Sequence, residues 1–340
     1  MMDLVSPNTD SLSDAAYVIG IDAGGTHTRC ALATLDGTVV GAGKGPGANP
    51  NSGGDPETAL FTALREATDG IDPTCVIGGV FGIAGAGAAG RPTLVSASQK
   101  AWSALGMSGE PEVFTDIAIN FASGTPAATG IVVFAGTGAG AAVIQDGEII
   151  RRADGYGYLL GDEGSAVWIG REGVKAALSA MDGRGTPTIL SDLVPRALLG
   201  AAVMAELSPR HLVLAGSGHD LPVGPSLLPQ AILKEVYGKP PATLGRIGPV
   251  VSAAAETGDP VATRIVQEAA DWLLMDVDAV RPALTDPCAP VVLAGSVLTG
   301  GPVAEIVRTG LEARFGTAPA LAGDGAAGAA RMAIRRLVAA

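Results

Sequence analysis

One pattern is written twice in this chain, about 110 residues apart, and it constrains the fold more than any other feature. The first copy runs Val18-Ile19-Gly20-Ile21-Asp22-Ala23-Gly24-Gly25-Thr26, then Arg29-Cys30-Ala31-Leu32, then Asp36-Gly37. The second runs Ile131-Val132-Val133-Phe134-Ala135-Gly136-Thr137-Gly138, then Ala141-Ala142-Val143-Ile144, then Asp146-Gly147. Each is an apolar run, a Gly-Thr turn, a second apolar run and an Asp-Gly turn. Asp-Gly between apolar runs is a strong hairpin signal. The Gly-Thr turns point elsewhere. Glycine lets backbone approach a ligand closely, and free N–H groups in such a turn can cradle phosphate. Two such turns imply a grip on a polyphosphate such as ATP, while a hairpin without ligand is the plain alternative for each.

At about 150 residues per domain, 340 residues predict two domains. A hydrophobic content of 47% with 49 glycines places the chain among globular proteins. The net charge of -12 disfavours nucleic acid and anionic membranes as partners. It leaves room for ATP, since backbone donors and Mg2+ act locally. Cys30, Cys75 and Cys288 form no CxxC, and His27, His211 and His219 lack metal-ligand spacing, so neither a zinc site nor a disulfide framework is expected. Cys30 and Cys75 read as buried thiols. Met1–Asp14 has no basic-then-apolar pattern, and no uncharged apolar run reaches the roughly 20 residues of a membrane span. A cytoplasmic location is the expectation.

Residues 1–14 read as a loose tail, 15–129 as an N-terminal lobe and 130–340 as a C-terminal lobe. Ala16–Asp22, Thr28–Leu35 and Thr38–Ala42 read as strands, and Pro56–Ala67 as a helix with Asp55 as N-cap. A strand Cys75–Ile83, a helix Arg91–Leu105 and a strand Glu112–Thr115 follow. This β-β-β-α-β-α-β order predicts a mixed α/β sheet with helices on its faces. The second half repeats the hairpin and then turns helical, with helices at Glu163–Ala180, Thr188–Glu206, Leu228–Tyr237, Arg246–Thr257, Asp259–Val280, Pro302–Phe315 and Gly325–Val338. A late strand, Pro290–Ala294, leads to Gly295-Ser296. The segment 207–229 reads as an insertion without an assigned role.

The candidate chemistry sits at strand ends. Gly24, Gly25, Thr26 and His27 offer N–H groups and a hydroxyl to phosphate, and Asp22 would hold Mg2+ through water. Neither a Walker loop nor a dinucleotide fingerprint occurs. Asp116, at the end of a strand, suits the carboxylate that accepts the proton of an attacking hydroxyl; a helix N-cap is its plain alternative. In Gly155–Ser165, Asp162 suits sugar hydroxyls and Tyr156 an aromatic wall, with helix capping the alternative for Asp162. Asn49 suits a polyol or an Asx-turn. Gly295 and Ser296 suit a nucleotide's base and ribose or a simple strand-to-helix turn.

The order Asp-Ala-Gly-Gly-Thr, Thr-Asp, Ala-Gly-Thr-Gly, Gly-Asp-Glu-Gly-Ser-Ala and Ala-Gly-Ser-Val resembles N-acetylglucosamine kinases. These belong to the BadF/BadG/BcrA/BcrD group of the actin, sugar kinase and Hsp70 superfamily. The resemblance runs from about Val18 to Arg335, with Gly161–Ala166 followed by Trp168-Ile169 its most specific part. It implies two ribonuclease-H-like lobes, each on a β-β-β-α-β-α core, around a central cleft. It implies MgATP-dependent transfer of the γ-phosphate to the 6-hydroxyl of an amino sugar. Asp116 would be the base, Gly24–Thr26 and Gly136–Gly138 the phosphate loops, Asn49 and Asp162 sugar contacts, and Gly295-Ser296 the adenosine turn. A small-molecule sugar is the implied partner, with a homodimer left open. Tyr156 stands where similar enzymes carry Trp, and Ala84 where a small hydroxyl would help hold the sugar. These departures bear on the choice among N-acetylglucosamine, glucosamine and N-acetylmuramic acid. An activator ATPase of a radical enzyme is the alternative class, but it needs cysteines for an iron–sulfur cluster.

Overall fold

The computed structural model describes residues 16–50, 53–215 and 227–339. The expected tail 1–14, and residues 216–226 of the expected insertion, lie outside the described residues. The described chain divides into two compact units. One holds residues up to 132 together with 144–150 and 320 onward; the other holds 133–143 and 151–319.

The first unit is built on a sheet of β1 (Tyr17–Ala23), β2 (His27–Thr34), β3 (Val39–Pro46), β4 (Val76–Ile83) and β5 (Glu112–Thr115), ordered β3-β2-β1-β4-β5. β1 pairs antiparallel with β2, Asp22 opposite Arg29, and parallel with β4, Asp22 opposite Gly82. Six of the seven residues of β1 are buried, as a central strand covered on both faces requires. Helix α1 (Pro56–Ala67) starts as its sequence predicts: Asp55 accepts the Glu57 amide at 3.2 Å and Pro56 occupies the first turn. It lies directly on β3, where a Cβ at Gly43 would come within 2.0 Å of the Ala63 carbonyl. Helices α2 (Arg91–Ala104) and α3 (Asp116–Gly124) follow. Trp102 of α2 fills the core edge-on to Phe81, centroids 5.9 Å apart, and donates its indole N–H to Ser108.

The second sheet comprises β6 (Thr129–Ala135), β7 (Ala139–Gln145), β8 (Glu148–Asp154), β9 (Val291–Ala294) and β10 (Ala320–Leu321), ordered β10-β9-β6-β7-β8. The duplicated pattern thus becomes two five-stranded mixed sheets, each opening on a three-stranded meander. Between β8 and β9 lie α4 (Ala166–Met181), α5 (Leu190–Ala215), α6 (Leu227–Tyr237), α7 (Gly248–Glu256) and α8 (Pro260–Val280). α9 (Pro302–Phe315) and α10 (Gly325–Ala339) close the chain. Asp259 caps α8 through the Val261 and Ala262 amides, and also accepts the Thr188 hydroxyl and the Ile189 amide.

Three sequence expectations change. The helix expected over Thr188–Glu206 runs on as α5 to Ala215, into the segment read as an insertion, with a non-helical Gly200 inside it. Cys30 is buried, but Cys75 is only half-buried in the short 3-10 turn Pro73–Cys75 and Cys288 is exposed. The C-terminal helix, read from sequence with the second half, groups with the first unit. α10 packs on β1 so closely that a Cβ at Gly20 would lie 2.0 Å from the Ala326 carbonyl. Among the described residues no helix is long and apolar enough to cross a membrane.

Candidate functional site

The candidate residues fall into two groups, one within each unit. In the first unit the β1–β2 hairpin turn is closed by the Gly24 amide, which donates to the His27 carbonyl at 2.9 Å. The Gly24 carbonyl accepts the Ala48 amide at 3.0 Å. A Cβ at Gly47 would meet the Gly25 carbonyl at 2.1 Å, so the segment leading to Asn49 lies against the Gly25-Thr26 peptide. The expected pair, glycine turn and Asn49, is therefore brought together. Gly25, Thr26 and His27 are exposed, and the Thr26 hydroxyl lies 3.1 Å from His27 Nδ1. One correction follows: the Gly24 N–H is consumed by the turn and is not offered to a ligand.

Asp116 is the first residue of α3, half-buried at the end of β5. The cap of that helix is Thr115, whose hydroxyl accepts the Ala118 amide at 3.3 Å. This removes the N-cap reading of Asp116. Burial raises the Asp116 pKa to about 6, the Asp22 charge adds to the rise, and hydrogen bonds from the Ile117 and Asp116 amides only partly oppose it. A carboxylate held near neutrality by desolvation is a usable proton acceptor.

Asp22 is half-buried beside it in this charge field. Burial raises its pKa, Arg29 lowers it and Asp324 raises it. Sequence reading missed Asp324. It caps α10 by accepting the Ala327 amide at 2.8 Å, and the following Gly325 leaves a Cβ's place only 2.5 Å from Asp22 Oδ2. The Gly-Asp-Gly before an alanine-rich helix was the available signal. Asp22, repelled by Asp116 and Asp324, fits a divalent cation, because the ion would relieve that repulsion. Among the described residues no three His, Cys, Asp or Glu side chains could hold a metal together, so such an ion would take most of its shell from water and phosphate.

In the second unit the twin turn is closed one residue tighter. The Gly136 amide donates to the Gly138 carbonyl at 2.8 Å, and the Gly136 carbonyl accepts the amide of Ala166, the first residue of α4, at 2.8 Å. The Gly136 N–H is likewise spent internally. A Cβ at Gly136 would meet nothing within 4 Å among the described residues, so none of them demands glycine there. Gly295, at φ +93°, sits against the Ala135-Gly136 peptide, and the Val297 amide donates to the Ala135 carbonyl at 3.0 Å. Asp162, at φ +58°, is buried and accepts the Ala139 amide at 3.2 Å. Burial raises its pKa. Ser165 caps α4, which removes the capping reading of Asp162. Gly136–Gly138, Asp162, Gly295 and Ser296 are thus neighbours. Tyr156, 65% exposed, carries the Arg152 guanidinium 5.7 Å above its ring.

Two features here went unread in the sequence. Asp154 orders the loop around Asp162 by accepting the Asp162 amide at 2.8 Å and the Glu163 amide at 2.9 Å. A cavity of about 280 Å³ opens beside Ser296, lined by Gly245, Gly248, Ser252, Glu256 and Gly300, residues scattered over a 3-10 turn, α7 and the loop after β9. Its size suits a nucleobase.

A family model described as the BadF/BadG/BcrA/BcrD ATPase family matches residues 19–333. The N-acetylmuramic acid/N-acetylglucosamine kinase of Clostridium acetobutylicum is 31% identical over 292 residues, covering 83% of this chain and 85% of that one. Two solved structures, both provisionally described as N-acetylglucosamine kinases, share the fold. That of Porphyromonas gingivalis has a TM-score of 0.66 at 21% identity, over 95% of this chain and 99% of its own. That of Chromobacterium violaceum has a TM-score of 0.64 at 23% identity, over 94% and 99%.

Proposed function

This chain belongs to the BadF/BadG/BcrA/BcrD ATPase family, and from that membership and its kinase relatives we propose an ATP-dependent amino-sugar kinase acting on the 6-hydroxyl of N-acetylglucosamine. The observation that carries this reading is Asp116: released from capping by Thr115, desolvated, and shifted towards neutrality. In the proposed step the sugar's 6-oxygen attacks the γ-phosphorus, the bond to the β-phosphate oxygen breaks, and Asp116 takes the hydroxyl proton. The amides of Gly25 and Thr26, and those of Thr137 and Gly138, would receive phosphate oxygens. Bound Mg2+ would neutralise charge developing on the transferring group, with Asp22 its protein contact. Asn49, Asp162 and Tyr156 would meet the sugar, and the cavity beside Ser296 the adenine. The name of the Clostridium acetobutylicum relative supports N-acetylmuramic acid as a second substrate.

A coupled ADP-release assay over glucosamine, N-acetylglucosamine, N-acetylmannosamine, N-acetylmuramic acid and glucose tests the substrate. Phosphorus NMR of the product tests the position. Turnover of N-acetylglucosamine to a 6-phosphate supports the reading, and ATP hydrolysis indifferent to every sugar refutes it.

A further inference from the structure

Within the first unit lies a cavity of about 480 Å³ that the proposed phosphotransfer leaves unused. Its size is in the range of small-molecule sites. Phe121 and Ala122, on a flank of α3, form one wall; Ile144, before the β7–β8 turn, and Met332, Arg335 and Arg336 of α10 form the others. The two acids that also line it are Glu112 and Asp146. Glu112 is neutralised by Arg336 at 2.6 Å, and that guanidinium also lies over the Phe114 ring.

Arg335 is different. It is half-buried, its Nη1 donates to the Pro126 carbonyl at 2.7 Å, and among the described residues no carboxylate oxygen lies within 4.0 Å of it. A guanidinium carries five N–H donors, and Pro126 accounts for one. Desolvation and the neighbouring Arg331 charge both work against its cationic form. A partly desolvated cation bonded only to a carbonyl is a costly arrangement that an anion would relieve.

We propose that this cavity binds a small organic carboxylate with an apolar body, its charge on Arg335 and its body against Phe121, Ile144 and Met332. Of the two guanidinium groups lining the cavity, Arg336 is paired with Glu112 and Arg335 has no acid among the described residues, which matches one negative charge. A wholly polar anion such as phosphate would waste the apolar walls. α3 begins at Asp116, so such a ligand would lie on the helix that starts at the proposed base. That relation alone rests on the kinase reading; the site itself does not.

The test is calorimetric titration of the full chain with hexanoate, against hexanol, acetate and inorganic phosphate. Hexanoate is expected to bind at least about tenfold more tightly than each of the others. R335M should weaken hexanoate at least about tenfold while leaving hexanol unchanged, and R335K should retain part of the affinity. A122F, which fills the cavity from α3 with Arg335 intact, should abolish binding. Undiminished binding by R335M or by A122F, absent hexanoate binding, or tighter binding of phosphate overturns the proposal. The readout needs no turnover, so a failed sugar panel leaves it standing, and a failed titration leaves the kinase reading standing.

Discussion

Replacing Asp116 by asparagine should make the protein more stable and leave it nearly inactive. Asp116 has a folded pKa of about 6 against the ordinary aspartate value of 3.8. A carboxyl whose pKa is raised by folding penalises the folded state wherever it is ionised, and the penalty is relieved as pH falls through the folded value. The two-unit gap, at about 1.36 kcal/mol per unit and discounted for residual exposure, gives about 2–3 kcal/mol of destabilisation at pH 7.5. At pH 5 the folded carboxyl is mostly neutral and the unfolded one is not, which leaves about half of that. D116N removes the ionisation from both states. Urea denaturation at pH 7.5 should therefore place D116N about 2–3 kcal/mol above wild type, narrowing to about half that at pH 5. Turnover should fall by about 10²–10⁴ while ATP still binds. A D116N protein no more stable than wild type, or a stability gap that ignores pH, would refute the desolvated carboxylate. Undiminished turnover would remove Asp116 from its role.

Three further outcomes follow from the same geometry. Because the Asp22 charge raises the Asp116 pKa, the pH dependence of the stability difference that D116N makes should shift to lower pH in a D22N background, measured by urea denaturation without Mg2+; an unmoved dependence separates the two carboxylates. G136V should raise the KM for ATP at least about tenfold with thermal stability within about 1 kcal/mol, since no atom of the described residues opposes a Cβ there; severe unfolding would contradict that packing. D259A should cost about 2–4 kcal/mol in urea melts, because it removes the cap of α8 together with the partners of Thr188 and Ile189, and should leave the KM values unchanged.

Legibility from the sequence was uneven, and the particular residues say why. Asp55-Pro56 announced α1 to the residue, because a cap and a φ-restricted proline act locally. The two Gly-Thr turns were equally plain, yet their hydrogen bonding was not: the amides of Gly24 and Gly136 close the turns, a detail of backbone geometry that composition does not carry. Asp116 was recognisable as a strand-end carboxylate, but its plain alternative, a helix N-cap, fell away only once the backbone placed Thr115 at that position. Asp324 was invisible as a site residue because it lies 302 positions after Asp22, and only the packing of α10 on β1 through Gly20 joins them.

The chain's local chemistry, then, decided on its own where strands turn, where helices begin and which side chains could carry phosphotransfer, since propensity, capping and glycine turns act over a few residues. Tertiary structure alone decided which carboxylates share a field and how far burial lifts Asp116 towards neutrality. It alone also left Arg335 without an acid among the described residues. Desolvation and Coulomb coupling depend on distances through space, and those exist only once the sheets and helices have packed.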